Sequence, residues 1–282
     1  TITVLLLAFS LSACSTVGGP SSSGFSLSDE PLLGKFVWHD LVTEDTAAAR
    51  RFYAGLFGWT FEETERPGGG AYILAKSNGR YIGGMVQRGD LADGKNVSRW
   101  LGYLSVADVT RAVEATRAAG GTVIVDVREL GNIGKVAAIQ DPQGAVIGLV
   151  RSKHGDPDDS AQNALGSVVW NELLASDSQA AATFYTTLAG YQTQSINRRG
   201  GQYTKLNQGS RERAGILTTP FADYPPTWLT YFAVADPVAA TAKVVSLGGK
   251  IILAPSADMR ENSMAVISDP SGAVLVLQKW PL

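Results

Sequence analysis

Two short pairs of an aromatic and an acidic residue are the groups in this sequence best suited to chemistry. Trp38 is followed two residues later by Asp40, and Trp170 is followed two residues later by Glu172, each within an apolar stretch typical of a β-strand. Alternate residues of a strand share one face, so each indole points the same way as its carboxylate. A carboxylate desolvated beside an indole has a raised pKa and can accept or donate a proton. Such a pair can also hold a cationic ligand, since indole adds a cation–π attraction.

A purely structural interpretation of these pairs stays open. Tryptophans in sheets most often pack in a core, and buried carboxylates often pair with cations, for which Arg80, Arg99 and Arg213 are available. His39 and Asn171 point away from the two pairs, so we expect His39 to face a helix or the surface rather than act as a base.

The elements that position these pairs occur twice along the chain. Three ordered blocks, residues 36–59, 100–121 and 141–146, return with matching spacing as residues 168–191, 228–249 and 269–274. A repeat of this length indicates a duplicated domain. A chain of 282 residues also agrees with two domains of ordinary size.

Within each copy the pattern predicts a strand, a helix and three strands, followed by a second set of the same elements. Asp45 is suited to cap the first helix, and Gly58 to end it. Asp108 and Asp236 are suited to cap the second helix of each copy, and short β-branched stretches follow these helices. The predicted fold class is therefore α+β, built from paired βαβββ modules.

The charge balance and the N-terminus restrict where the protein acts. A net charge of −2 argues against nucleic acid as a partner. The apolar run Ile2 to Leu11 has the length of a signal-peptide core, and Leu11-Ser12-Ala13-Cys14 resembles the lipobox of bacterial lipoproteins. This resemblance implies cleavage before Cys14, lipidation of its sulfur and membrane attachment through that lipid. We therefore expect an exported protein, lipid-anchored in the bacterial cell envelope, and at the outer membrane if the host is diderm.

The expected organisation has five segments. They are a lipoprotein signal peptide (1–13), a Ser/Gly/Pro tether (14–33), a first domain (34–152), a linker (153–164) and a second domain (165–282). A fused pair of similar domains can satisfy internally the contacts that single-copy proteins satisfy by dimerising, so we expect a monomer.

The order of elements, the motif Phe-Tyr…Leu-Phe-Gly-Trp after the first strand, and Asp-Pro-x-Gly-Ala-Val before the last strand resemble the vicinal-oxygen-chelate superfamily. This superfamily contains the glyoxalases, the bleomycin-resistance proteins and the extradiol dioxygenases. The resemblance implies two tandem domains whose sheets curl into cups. It further implies that each cup holds a small molecule, often over a divalent metal.

The resemblance also implies three metal-ligand positions per copy, and this sequence departs from all of them. Those positions fall on residues without donor side chains: Trp38 and Trp170, Leu101 and Leu229, Gly148 and Val276. Divalent metals need carboxylate, imidazole or thiolate donors. We therefore predict no cofactor and no metal ligand at these positions, while a divalent metal at another site stays possible.

Three functional hypotheses follow from the resemblance and the departures. The first is a small-molecule binding protein without the usual metal, in which the ligand contacts Trp38, Trp170, Tyr103 and Tyr231. The second is a glyoxalase-like lyase or isomerase that uses Asp40 or Glu172 as its acid or base. The third is a non-catalytic surface scaffold for a protein partner. A metal-dependent dioxygenase is disfavoured.

Overall fold

Two eight-stranded mixed sheets form the framework, one from each copy of the repeat. The computed structural model describes residues 27–65, 70–88, 96–131, 133–159, 164–198, 201–220, 224–258 and 260–281. Cys14, the predicted signal peptide and most of the predicted tether lie outside these residues.

The first copy follows the predicted order of elements. Its elements are β1 (Phe36–Thr43), α1 (Thr46–Phe57), β2 (Thr60–Glu65), β3 (Ala71–Ser77), β4 (Arg80–Gln87), β5 (Arg99–Ser105), α2 (Val109–Ala118), β6 (Thr122–Leu130), β7 (Gly134–Gln140) and β8 (Val146–Ser152).

The second copy repeats this order. Its elements are β9 (Val168–Ala175), α3 (Ser178–Ala189), β10 (Gln192–Arg198), β11 (Gly201–Gln208), β12 (Arg211–Thr218), β13 (Thr227–Val234), α4 (Pro237–Val244), β14 (Lys250–Leu253), β15 (Met264–Ser268) and β16 (Val274–Lys279). The predicted α+β class and the tandem βαβββ modules are confirmed.

The strand order places the aromatic–acidic pairs at the centre of each sheet. The first sheet runs β2-β3-β4-β1-β5-β8-β7-β6, and the second runs β10-β11-β12-β9-β13-β16-β15-β14. Strand β1 pairs antiparallel with β5, which sets Trp38 opposite Tyr103, and β9 pairs antiparallel with β13, which sets Trp170 opposite Tyr231. Paired residues of antiparallel strands share a face, so these four side chains lie on the concave faces of the sheets.

The helix boundaries follow the predicted caps. The Asp45 side chain accepts a hydrogen bond from the backbone N–H of Ala48 (2.9 Å), and Gly58 ends α1 with a φ of 71°. In the second copy the Asp177 side chain caps the start of α3, and Gly190 ends this helix with a φ of 71°. The first strand of each module thus leads directly into a helix that packs on its sheet.

The helix-bearing faces of the two sheets pack against each other. Helix α1 contacts α4 and α2 contacts α3, so each core contains side chains of both copies. Two equivalent buried hydrogen bonds join the copies: Tyr53 donates to Asp269 (3.2 Å), and Tyr185 donates to Asp141 (2.9 Å). The opposite, concave faces of the sheets therefore remain available as cups.

His39 and Asn171 do point away from the cups, and they meet each other between the two sheets. The His39 Nε2 atom lies 2.8 Å from the Asn171 Oδ1 atom in a buried contact, and His39 is only 3% exposed. Burial lowers the pKa of His39 to about 4, while the hydrogen bond to Asn171 opposes this shift. His39 is thus a neutral interface residue.

The segments flanking the first domain hydrogen-bond to each other. Asp156 is fully buried, and its carboxylate accepts bonds from the Leu32 backbone (2.7 Å), the Ser105 hydroxyl (2.7 Å) and the Ser152 hydroxyl (2.5 Å). The predicted domain boundaries themselves stay predictions.

Among the described residues, no helix has the length and apolar character needed to cross a membrane.

Candidate functional site

The carboxylate of Asp40 is the centre of a closed hydrogen-bond network in the first cup. Its Oδ1 atom accepts bonds from the Trp38 indole (2.9 Å) and the Tyr72 hydroxyl (2.7 Å), and its Oδ2 atom accepts a bond from the Tyr103 hydroxyl (3.0 Å). Asp40 is 2% exposed, and burial raises its pKa while the three donors oppose that rise. Trp38, Asp40 and Tyr103 are therefore brought together, as predicted for a shared face.

Two glycines make this network possible by leaving space for the tyrosines. A Cβ atom on Gly84 would lie 1.8 Å from the Tyr72 hydroxyl oxygen, and one on Gly148 would lie 2.3 Å from Cδ1 of Tyr103. Real Cβ atoms do not approach other atoms so closely, so any larger residue would displace a ring. Gly148 is one of the positions at which the resemblance implied a metal ligand.

The second cup has the equivalent aromatic residues around Glu172, and the Tyr203 hydroxyl hydrogen-bonds this carboxylate as well. The Trp170 indole donates to the Tyr203 hydroxyl (3.0 Å), and the Tyr231 hydroxyl donates to Oε1 of Glu172 (2.6 Å). Oε2 of Glu172 is buried and accepts no hydrogen bond, and Nη2 of Arg260 lies 3.7 Å from it. Burial raises the pKa of both tyrosines, so their hydroxyls are neutral donors at neutral pH.

A cavity of about 330 Å³ lies in this second cup. Trp170, Tyr203, Tyr231 and Trp280 provide its aromatic walls. Its charged lining residues are Lys35, Arg198, Lys205, Glu212, Arg213 and Arg260. Glu172 is 3% exposed and lies behind Tyr231 and Arg260, outside the lining itself.

Three of the basic side chains are already held by carboxylates. Nζ of Lys205 lies 2.5 Å from Glu212, while Nη1 of Arg213 and Nζ of Lys35 lie 2.7 Å and 3.1 Å from Asp159. Arg213 therefore pairs with Asp159 and not with either of the two cup carboxylates. The interpretation that Arg213 neutralises a cup carboxylate is wrong.

Comparison with known proteins assigns the chain to a superfamily. A sequence model of the glyoxalase/bleomycin resistance protein/dioxygenase superfamily matches residues 35–149. The chain is also 34% identical over 245 residues to the protein named "Putative glyoxylase CFP32" of Mycobacterium tuberculosis, an alignment that covers 86% of this chain and 93% of that one. The chain belongs to this superfamily. The vicinal-oxygen-chelate resemblance is thus confirmed.

Other superfamily members and solved structures extend the comparison. The anthracycline biosynthesis protein DnrV of Streptomyces peucetius is 29% identical over 252 residues, covering 85% of this chain and 91% of that protein. The Mn(II)-bound glyoxalase of Novosphingobium aromaticivorans aligns with a TM-score of 0.58 at 16% identity, over 88% of this chain and 82% of that chain. An extradiol ring-cleaving dioxygenase from B. fuscum aligns with a TM-score of 0.58 at 13% identity, over 90% and 74% of the two chains. These structures share the fold.

The residues present do not fit the divalent metal that many superfamily members bind. In the first cup both oxygens of Asp40 accept hydrogen bonds, and the Tyr103 ring fills the space beside Gly148. In the second cup Val276 is fully buried at the equivalent place. Across the described residues, no three His, Cys, Asp or Glu side chains form a cluster able to hold a metal ion. The first cup offers the Asp40 carboxylate and the second offers Glu172 and Glu212, the latter paired with Lys205, whereas superfamily metal sites use three protein donors.

The sequence did not reveal the two tyrosines that complete the networks or the basic lining of the cavity. Tyr72 and Tyr203 occupy equivalent strands of the two copies, so a full alignment of the copies would have found them. Arg198 and Arg260 belong to separate turns and strand ends, and only the folded chain brings them together. Lys205 and Arg213 carry no repeated sequence signal, because the equivalent residues of the first copy are apolar.

Proposed function

We propose that this superfamily member binds a small molecule in the cavity of its second cup, without a divalent metal. The observation that carries the proposal is the cavity itself, whose volume of about 330 Å³ falls in the range typical of small-molecule sites. Its aromatic walls supply apolar contact area, and a few polar groups fix the orientation of a ligand, as such sites require. Trp170 and Tyr231 are the predicted ligand-binding residues that line it.

The chemical nature of the ligand is constrained by the walls. Trp170 and Trp280 are half-buried and offer flat faces against which an aromatic ring can stack. The relatives named for anthracycline biosynthesis support testing polycyclic aromatic compounds first. The absence of three donors at the superfamily metal positions supports binding through side chains alone.

The proposal can be tested by NMR observation of the tryptophan indole N–H groups during a screen of aromatic small molecules. The set contains neutral, anionic and cationic compounds and includes anthracyclines. We expect a ligand that shifts the indole resonance of Trp170 and leaves that of Trp38 unchanged. No shift of the Trp170 resonance by any compound, at millimolar concentration, would refute binding in this cavity.

Two matched variants locate the site. Trp170→Phe removes the indole from the cavity wall, and we expect it to weaken binding about tenfold, a change of about 1.4 kcal/mol. Trp38→Phe makes the same change in the first cup and should leave affinity within twofold. Equal losses in both variants would place the ligand elsewhere. Thermal melting of each variant checks that the fold is retained.

The metal-free part of the proposal has its own measurement. We expect dialysis of the protein against a chelator to leave ligand affinity unchanged, and metal analysis of the purified protein to give less than one divalent ion per chain. A stoichiometric ion whose removal abolishes binding would overturn this part and leave the binding site in place.

A glyoxalase-like lyase or isomerase is the second candidate, and Glu172 is its better-placed acid or base. Oε2 of Glu172 is buried without a hydrogen-bond donor, so it has a free lone pair close to the cavity lining. Asp40 has both oxygens occupied. If Glu172 moves a proton, a carbon-bound hydrogen of the ligand exchanges with deuterium in D₂O, and mass spectrometry of the ligand detects this exchange. We expect Glu172→Gln to abolish it. Exchange that survives in this variant would exclude Glu172 as the base.

We also propose that the protein is exported and anchored through lipid at Cys14, on the basis of the lipobox resemblance alone. Metabolic labelling with an alkyne fatty acid, followed by fractionation of the producing bacterium, tests this directly. We expect label and protein in the membrane fraction, and their loss in Cys14→Ser. An unlabelled, soluble wild-type protein would exclude the anchor.

A further inference from the structure

We propose that the second cup selects an anionic aromatic ligand and that Arg260 binds its anionic group. The inference rests on the proposed function, since it names the class of molecule held in that same cavity. It also differs from the expectation drawn from the aromatic–acidic pairs, which suit a cationic ligand equally well.

The cavity lining carries a strong excess of positive charge. Five basic side chains and one acidic side chain, Glu212, line it. The chain as a whole has 24 Lys and Arg against 26 Asp and Glu, so this excess is a local concentration and not a result of composition. Asp159 and Glu172 reach the lining cations from outside the cavity, and the basic residues still outnumber them. Such a cleft attracts anions and repels cations.

Two of the basic residues that line the cavity have apolar equivalents in the first copy. Lys205 lies two residues after Tyr203, where the first copy has Leu74 two residues after Tyr72. Arg213 lies two residues before Gly215, where the first copy has an isoleucine two residues before Gly84. The shared fold therefore does not require these cations, because the first copy forms the same sheet with apolar residues.

Three of the basic side chains are held in close ion pairs, and the guanidinium groups of Arg198 and Arg260 are held less closely. Lys35, Lys205 and Arg213 each form an ion pair of 3.1 Å or less with a carboxylate. The guanidinium of Arg198 lies over the ring of Tyr203, 4.0 Å from its centroid, and Arg260 lies beyond hydrogen-bond distance of Glu172. Arg260 therefore has donors to offer, and its side chain is 39% exposed.

The backbone that carries Arg260 is strained beside the cavity. Arg260, Glu261 and Asn262 have φ values of 48°, 55° and 63°, three successive non-glycine residues in the left-handed region. Such strain concentrates at ligand-binding sites. The turn is closed by bonds from the Asn262 N–H to the Ser256 carbonyl and from the Ser263 N–H to the Arg260 carbonyl, both 2.9 Å.

Glu172 has a positioning role in this arrangement. Its Oε1 atom is held by Tyr231, and its charge attracts the Arg260 guanidinium from behind the lining without forming a hydrogen bond. A carboxylate, sulfonate or phosphate of a ligand can then accept two hydrogen bonds from Arg260, the geometry that guanidinium favours. The aromatic part of the ligand stacks on Trp170 and Trp280.

Two fluorescent probes that differ only in charge test the proposal on the full chain. They are 1-anilinonaphthalene-8-sulfonate and N-phenyl-1-naphthylamine, which share their aromatic rings and differ by the sulfonate. We expect the sulfonated probe to bind at least tenfold more tightly. Arg260→Gln should weaken the sulfonated probe about tenfold and leave the neutral probe within twofold. Arg117→Gln, which removes an exposed arginine paired with Asp126, is the matched control and should change neither.

The outcomes separate this inference from the proposed function. If the neutral probe binds as tightly as the sulfonated one, or if Arg260→Gln weakens both equally, the anionic preference is wrong. If Trp170→Phe still weakens the neutral probe in that case, binding in the cavity stands. If neither probe binds and no screened compound shifts the Trp170 resonance, both proposals fail. If Arg260→Gln does not fold, Arg260→Lys replaces it: lysine cannot donate two parallel hydrogen bonds, so this variant should weaken the sulfonated probe and leave the neutral probe within twofold. Equal binding of the sulfonated probe by the wild type and this variant would overturn the role of Arg260.

Discussion

Lowering the pH should destabilise the interface between the two sheets, because His39 is buried there in its neutral form. Its pKa is lowered to about 4 in the folded protein, against 6.5 for an ordinary histidine. Between these values the unfolded chain binds a proton that the folded chain does not bind. The stability contributed by neutral His39 is therefore complete above pH 6.5 and is lost as the pH falls from 6.5 towards 4.

The size of this effect follows from the two pKa values. Their difference of about 2.5 corresponds to about 3 kcal/mol at full loss, since each pKa unit is worth about 1.4 kcal/mol. Between pH 7.5 and pH 5.0 the single-site linkage relation gives a loss of about 2 kcal/mol. Asp40 and Asp269, whose pKa values are raised by burial, act in the opposite direction, so wild-type stability alone does not isolate the histidine.

A comparison of the wild type with His39→Gln isolates the contribution of this histidine to the pH dependence of stability. Glutamine keeps a neutral hydrogen-bonding group opposite Asn171 and does not titrate. Urea unfolding followed by tryptophan fluorescence at pH 7.5, 6.0 and 5.0 gives the free energy of unfolding of both proteins. The difference between them should move by about 2 kcal/mol in favour of the variant between pH 7.5 and 5.0. The exposed second histidine serves as control through His154→Gln, which should track the wild type.

If the free energies of unfolding of the wild type and His39→Gln differ by the same amount at all three pH values, this reasoning is refuted. Such a result would mean that His39 gains a proton in the folded protein as readily as in the unfolded one. The same result in His154→Gln as in His39→Gln would assign the pH dependence to unfolded-state charge instead.

Three further predictions concern packing and assembly. Gly148→Ala should lower the free energy of unfolding by about 1–3 kcal/mol, because its Cβ would lie 2.3 Å from the Tyr103 ring. An unchanged midpoint of urea unfolding would show that the ring can move aside without cost. Asp40→Ala should cost about 3 kcal/mol in the same urea assay, since it removes the acceptor of three hydrogen bonds in a buried network, and an unchanged midpoint would contradict the network. Sedimentation equilibrium of the protein at about 10 μM should give the mass of one chain, and a dimer mass would overturn the expectation that the fused copies complete each other.

The fold was predictable because its signals are local and occur twice. Asp45 and Gly58 delimit a helix by capping chemistry, and the repeat predicts the same elements again in the second copy. Alternation along β1 was enough to place Trp38 beside Asp40. The grouping of Tyr103 with Asp40 was also predictable, because neighbouring strands set their side chains opposite each other.

The rest of the site depends on contacts that no local pattern contains. Tyr72 lies on β3, separated from β1 by β4, and it reaches Asp40 only because Gly84 on β4 has no side chain in the way. The placement of Arg260 depends on a turn of three left-handed residues, which sequence propensity does not favour. His39 was expected at a helix or the surface, and the packing of one sheet on the other buries it instead.

Lys35 belongs to the first copy of the repeat, yet it forms part of the wall of the cavity in the second. Its ammonium is fixed there by the carbonyl oxygens of Pro157 and Asp158 and by the carboxylate of Asp159. After a gene duplication, two linked domains can usually diverge independently. Here a substitution at one position of the first copy would change the cavity wall of the second, so the two copies constrain each other's divergence.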